Sequence, residues 1–322
     1  MIRYLRHNEI DKPKWDDCIQ NATYSIVYAY SWYLDIVSPN WDALVEDEYN
    51  TIFPLTWKKK YGMMYLTQPL FAQQLGLFST EEISTKKIAM FLKKIPHKFI
   101  HWDISFNPSN NALNSYIVYS IKRLTYHISL RQSYDEIHHK YSHDTKRVLK
   151  LNHQHDFVIS NILCEEVLKL YKQNVWHKVP VVTLDNFETL KRLVNELCNK
   201  NICKVQGIFE QDKIAGSAVL INCDNKLIYL FGAANESGRR SGAMRYYFDN
   251  MIKQNCNKNL ILDFEGSIFP TVAHFYKSFG SNKIEFFNLR FSRIPILNLM
   301  IKFKQGIKQK LSAYRIMHST SV

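Results

Sequence analysis

From residue 157 onward, apolar runs of two different periods follow one another in a set order, and that order restricts the fold more than any single motif. Alternation every second residue marks strands, whereas recurrence at three- and four-residue spacing marks helices. Residues 157–160 read as a strand, 163–174 and 186–199 as helices, and 202–209, 215–222 and 227–231 as three strands in quick succession. A helix at 242–254, a strand at 260–264, a helix at 270–279 ended by Gly280 and a strand at 283–288 follow. This β-α-α-β-β-β-α-β-α-β succession predicts an α/β domain.

The first half repeats nearly the same order. A strand at 2–5 precedes helices at 14–20 and 30–37, the second stopped before Pro39. Strands at 42–46, 51–57 and 63–67 come next, the last two joined as a hairpin by the basic turn Lys58-Lys59-Lys60-Tyr61-Gly62. A helix at 81–94, a strand at 99–106, the polar loop NPSNNALNS and a strand at 126–130 close it. The parallel suggests a duplicated fold without a short sequence period. The 322 residues, 46% hydrophobic and 14% aromatic, supply apolar material for two cores. The expected division is an N-terminal domain at 1–132, a basic connecting helix at 133–155, a C-terminal domain at 156–295 and a basic amphipathic tail at 296–322.

No apolar run approaches the roughly 20 residues that span a bilayer, and the start MIRYLRHNEIDKPKW lacks the apolar centre of a secretory signal. A cytoplasmic location is the expectation. Six scattered cysteines, without a CxxC pair or histidines at zinc-ligand spacing, read as free thiols. The closest, Cys198 and Cys203, are placed to touch across a helix-to-strand turn. The connecting segment holds five histidines, of which only His139 and His143 stand at i, i+4 spacing, so no metal is expected.

With 42 Lys and Arg against 29 Asp and Glu, the formal charge of +13 favours polyanionic partners: RNA, anionic lipid headgroups or phosphate-rich cofactors. The tail carries Leu297, Met300, Ile301, Ile307, Leu311 and Tyr314 among lysines and Arg315. It packs on the second domain or, over residues 296–317, lies on an anionic membrane surface.

The passage from Tyr229 to Ala243, YLFGAANESGRRSGA, is the most informative for chemistry. A strand running into Gly232 and Ala233 is followed by Gly238, Arg239, Arg240 and Gly242, and then by a helix beginning at Ala243. The first-turn amides of a helix lack internal partners and carry the positive end of its dipole, so a pyrophosphate can sit there, with both arginines adding charge-assisted hydrogen bonds. The bland alternative is a capped turn with two solvated arginines. Downstream, Asp263 and Glu265 flank Phe264 at the mouth of the next strand, and alternation puts both carboxylates on one sheet face.

The position of this loop after the fourth strand resembles the pyrophosphate loop of the GNAT (N-acetyltransferase) superfamily. Arg239 and Gly242 match that pattern, and Met244 departs from it. VAHFYKSFG resembles the superfamily's late helix, which implies Tyr276 as general acid to the leaving group. From about residue 26 to 288 the chain resembles the Fem-type peptidoglycan-bridge aminoacyltransferases, through YAYSWYLDIVSPNWDALV, FPLTWKKKYGMMYLTQP, KYSHDTKRVLK and LDFEGSIFPTVAHFYKSFG. The helical arm that holds transfer RNA in some members is absent.

That resemblance implies two tandem GNAT-like domains, each a mixed, mostly antiparallel sheet flanked by helices. It also implies an amine attacking an activated acyl group supplied by acyl-CoA or aminoacyl-tRNA, with no tightly bound cofactor. The implied acceptor is an amine of a cell-envelope precursor, a polysaccharide or a peptide. Amides near Gly232 and Ala233 would polarise the carbonyl. Asp263 or Glu265 would take the ammonium proton. Gln68, Gln73 and Gln74 are available to an acceptor. The alternative is a basic RNA-binding or peripheral membrane protein that keeps the fold without catalysis.

Overall fold

The computed structural model describes residues 1–110, 120–176, 183–266 and 270–296. The expected amphipathic tail from residue 297 lies outside them, as does the polar loop beyond residue 110. The described chain divides into two units, one of Met1–Arg123 with the chain from Phe286, the other of Leu124–Glu285.

The first unit contains β1 (Ile2–Leu5), α1 (Lys12–Asn21), α2 (Ser31–Val37), β2 (Trp41–Glu46), β3 (Thr51–Lys60), β4 (Met63–Thr67), β5 (Phe78–Ser79), α3 (Thr85–Lys94) and β6 (Phe99–Ser105). Its helices start where side chains satisfy first-turn amides: Asp11 accepts from the Lys14 N–H, and Ser84 from the Lys87 N–H. The Ser84 cap places the start of α3 at residue 85, four residues after the expected start at 81. Strands β1, β2, β3 and β4 pair antiparallel in sequence order, and β4 pairs parallel with β6. Leu44, Phe53, Leu55, Phe91, Phe99 and Phe106 form the buried centre of this unit.

The chain enters the second unit within β7 (Ser120–Ser129) and continues through α4 (Tyr134–His139), α5 (His143–Leu151), β8 (Phe157–Asn161), α6 (Cys164–Asn174) and α7 (Leu184–Asn199). Then come β9 (Cys203–Glu210), β10 (Lys213–Cys223), β11 (Lys226–Ala234), α8 (Glu236–Ser241), α9 (Ala243–Asn255), β12 (Ile261–Asp263), α10 (Pro270–Lys277) and β13 (Asn282–Ser292). The second part of β13 belongs to the first unit, where Asn288–Ser292 pair antiparallel with β6. Its sequence separation from β6 hides that pairing from any local pattern.

The expected single helix over 133–155 is two. The Ser142 hydroxyl accepts from the Thr145 N–H and starts a new helix, while the Ser142 N–H donates to the Ser278 carbonyl. Strands β8, β9, β10 and β11 pair antiparallel in order, β11 pairs parallel with β12, and β12 pairs antiparallel with β7. The fold class is therefore the expected one: α/β, with mixed, mostly antiparallel sheet and flanking helices. The core of this unit gathers Tyr247, Phe248 and Met251 of α9 against Leu220, Leu227, Leu262, Phe264 and Phe279. Among the described residues no helix is long and apolar enough to cross a membrane.

Candidate active site

β11 is longer than its alternation indicates, because its partners on the two sides differ. Against β10 it is paired from Lys226 to Ala234, with Leu230 bulged out between Tyr229 and Phe231. Against β12 the ladder covers only Lys226 to Ile228, opposite Ile261 to Asp263. Residues 229–234 therefore present one edge without a ladder. A bulge beside such an opening re-aims the neighbouring side chains. A pocket of about 650 Å³ forms along this edge, within the range for small-molecule sites, and all six residues from Tyr229 to Ala234 line it.

The other walls come from five elements. α6 contributes Tyr171 and Asn174, the turn after β12 contributes Phe264, Glu265 and Gly266, and α10 contributes Thr271, Val272, Phe275 and Tyr276. Gly238 and Arg239 of α8, with Gly242, Met244 and Arg245 at the start of α9, close the remaining side. α8 itself was not expected. Asn235 caps it by accepting from the Gly238 N–H, and six residues are too few for a helical period to show.

Gly242 links α8 to α9 with φ +78°, a left-handed conformation costly for residues with a Cβ, and a Cβ there would press on Val148. It leaves the first turn of α9 without a side-chain cap. Gly232 answers a second close approach: a Cβ would meet the Tyr229 hydroxyl at 2.6 Å and the Ser217 carbonyl.

The pocket brings together seven of the ten residues singled out from the sequence: Gly232, Ala233, Gly238, Arg239, Gly242, Glu265 and Tyr276. Three lie elsewhere. Ala243 is fully buried in the core of α9. Arg240 pairs with Glu236 and lines a separate recess with His155 and Glu210. Asp263 is wholly buried beneath the pocket, where its carboxylate accepts from the Thr125 hydroxyl at 2.7 Å and the Glu265 N–H at 2.8 Å. His127 Nε2 stands 3.1 Å from its other oxygen, at ion-pair distance but out of hydrogen-bond alignment. Alternation expected Asp263 and Glu265 on one face. The strand ends at Asp263, and Glu265 turns away with φ +59°.

Arg239 is committed in part, because its Nη1 donates to the Ala234 carbonyl at 2.7 Å, which leaves other N–H groups of the fork for a ligand. Sequence reasoning missed Tyr171, Tyr229 and Arg245. Tyr171 stands on α6, remote in sequence, and Tyr229 reads as an ordinary strand aromatic. Arg245 lies one residue beyond the loop motif and holds Asp144 at 2.8 Å.

Electrostatics in the pocket centre on Glu265 and three phenols. Burial, reinforced by the neighbouring phenols and the Glu265 charge, holds Tyr276 well above the usual tyrosine range. Tyr229 rises for the same reasons, and burial with the Glu265 charge pushes Tyr171 up to about 12. All three stay protonated at neutral pH, as donors. Tyr276 stacks on Phe264 with ring centres 5.0 Å apart and lies 6.4 Å from the Tyr229 ring. Asp263 is lowered: burial alone would raise it, but the close approach of His127 and the hydrogen bonds from the Thr125 hydroxyl and the Glu265 N–H outweigh that.

Gln68, Gln73 and Gln74 are used internally. Gln68 bridges the Ala72 carbonyl and the Ser105 N–H, while the fully buried Gln74 donates to Gln73 and accepts from Tyr24. The six cysteines are free thiols, and Cys198 Sγ lies 3.3 Å from Cys203 and 3.2 Å from Cys164.

No protein-family model and no curated protein sequence matches the chain. Solved structures do. FemX matches with a TM-score of 0.63 at 11% identity, over 93% of this chain and 100% of that one. A conserved protein of unknown function from Bacteroides thetaiotaomicron matches with a TM-score of 0.58 at 13% identity, over 91% and 100% of the two chains. The C-terminal domain of a protein assigned as a lysylphosphatidylglycerol synthetase, from Agrobacterium fabrum, gives 0.55 at 7% identity, over 91% and 95%. Identities this low establish the fold alone: the chain has a FemX-like fold.

Proposed function

We propose that this protein transfers an activated acyl or aminoacyl group, carried as a thioester of coenzyme A or an ester of transfer RNA, onto an amine. The observation that carries this reading is the convergence of the unladdered edge of β11, Tyr276, Glu265 and Arg239 on one pocket. Strand amides that lack a ladder partner are preorganised donors for an oxyanion, and those near Gly232 and Ala233 are placed to polarise the acyl carbonyl.

In the reaction, the Glu265 carboxylate takes a proton from the acceptor's ammonium, directly or through water. The free amine attacks the carbonyl carbon, forming the C–N bond and a tetrahedral oxyanion. Its collapse breaks the bond to the carrier, the leaving thiolate or alkoxide takes the Tyr276 proton, and the surplus proton on the new amide nitrogen passes to the Tyr276 phenolate, directly or through water, which restores the phenol. The products are an amide and the free carrier. Arg239, with the uncapped start of α9 at Gly242, binds the carrier's phosphates. The acceptor is an amine of a cell-envelope precursor, polysaccharide or peptide, and the two proposed donor classes are those that the sequence resemblance implies, acyl-CoA and aminoacyl-tRNA.

Thermal-shift titration with acetyl-CoA, longer acyl-CoAs and aminoacyl-tRNA tests this. A rise in Tm with one donor class, lost in Arg239→Ala, supports it. Equal stabilisation by charged and uncharged transfer RNA, with none by acyl-CoA, would overturn it in favour of RNA binding without catalysis.

A further inference from the structure

The β3–β4 hairpin closes through two residues, because Lys60 pairs with Met63 across the loop formed by Tyr61 and Gly62. Both loop residues have positive φ, +51° and +77°. Two-residue loops of this kind favour Asn or Asp followed by Gly, since those residues enter the left-handed region cheaply. Tyrosine does not. A bulky aromatic held in that conformation is an outlier, and nothing in the fold compensates for it: Tyr61 is 84% exposed, and its recorded ring contact is with the Lys60 ammonium, 5.2 Å from the ring centre. Replacing it with asparagine would ease the turn, so the tyrosine is there for something outside the chain.

Its surroundings identify the kind of partner. Lys58, Lys59, Lys60, Tyr61, Gly62 and Met63 are six consecutive exposed residues, and Met63 is 47% exposed. None of the three lysines forms an ion pair among the described residues. Strand alternation puts Lys58 and Lys60 on the same hairpin face as Tyr65 and Met63, their cross-strand partners. An apolar and aromatic tip flanked by unpaired ammonium groups on flexible stems suits the boundary between anionic headgroups and acyl chains. A phosphate backbone would be better served by arginine forks, and the tip has none.

We infer that the Lys58–Met63 hairpin tip is a membrane-contact site, in which Tyr61 and Met63 enter the headgroup region of an anionic bilayer and Lys58, Lys59 and Lys60 hold its phosphates. This inference is independent of the pocket's chemistry.

The test is vesicle co-sedimentation of the full chain with phosphatidylcholine alone and with phosphatidylcholine containing phosphatidylglycerol. Wild-type protein should bind the anionic vesicles preferentially. Each of Lys58→Gln, Lys59→Gln and Lys60→Gln should weaken that binding about fivefold. Tyr61→Asn should weaken it several-fold while leaving Tm unchanged or raised, which separates loss of contact from loss of fold. The basic segment after residue 296 is the same in all variants, so differences between them report the hairpin alone. Absence of binding to anionic vesicles, binding equal with and without phosphatidylglycerol, or wild-type binding retained by the variants would overturn the assignment. RNA binding that depends on the same four residues, without vesicle binding, would make the tip a nucleic-acid surface instead.

Discussion

The backbone N–H of Glu265 donates to the buried Asp263 carboxylate at 2.8 Å, so the carboxylate that lines the pocket is positioned by one that does not. Asp263 accepts this bond together with one from Thr125 and the approach of His127, and so sets the turn that gives Glu265 its positive φ. The two acids flanking Phe264 divide into a brace and a working group.

Asp263→Asn therefore acts on stability first. Weakening the buried hydrogen bonds that the carboxylate accepts from Thr125 and the Glu265 N–H costs about 1–3 kcal/mol, a large part of a typical domain's stability. The folded-state pKa of Asp263 lies below its unfolded value, so its contribution is present above roughly pH 4 and is lost as pH falls through the folded value. Urea denaturation of wild type across the acid range should show that loss, and the variant should lack this component.

Glu265→Gly removes the carboxylate and suits the left-handed backbone. Stability should stay within about 1 kcal/mol of wild type, relief of the strained φ offsetting the flexibility of glycine in the unfolded chain. Turnover should fall sharply, and Glu265→Gln should lose turnover to a similar degree. Full activity in either variant removes Glu265 as proton acceptor.

Tyr276→Phe keeps the ring that stacks on Phe264 and deletes the hydroxyl. Turnover should drop roughly 100- to 10,000-fold with donor affinity nearly unchanged, as read by steady-state kinetics beside donor titration. Because the phenol is held far above the usual range, it should add no alkaline limb to the wild-type rate profile near neutrality.

Arg239→Ala and Arg240→Ala should behave differently although the residues are adjacent. Loss of charge-assisted bonds from Arg239 should weaken donor binding by about 10- to 100-fold in calorimetric titration. Arg240 faces the other recess in an exposed pair with Glu236, so its removal should leave donor affinity unchanged and shift stability by no more than about 0.5 kcal/mol.

The α/β class, most strands and helices, and the Tyr229–Ala243 passage were all readable along the chain, because alternation, helical spacing and helix-stopping glycines are local signals carried by neighbouring residues. The site was readable only in outline. Gly232, Arg239, Glu265 and Tyr276 were found as motif members, but nothing local separated Arg239 from Arg240 or Glu265 from Asp263. Those distinctions, the bulge at Leu230 and the arrival of Tyr171 in the pocket depend on where β11 loses its ladder with β12 and on which elements then cover the gap. Contacts between residues far apart in the chain settle both, and such contacts form only when the sheet is assembled.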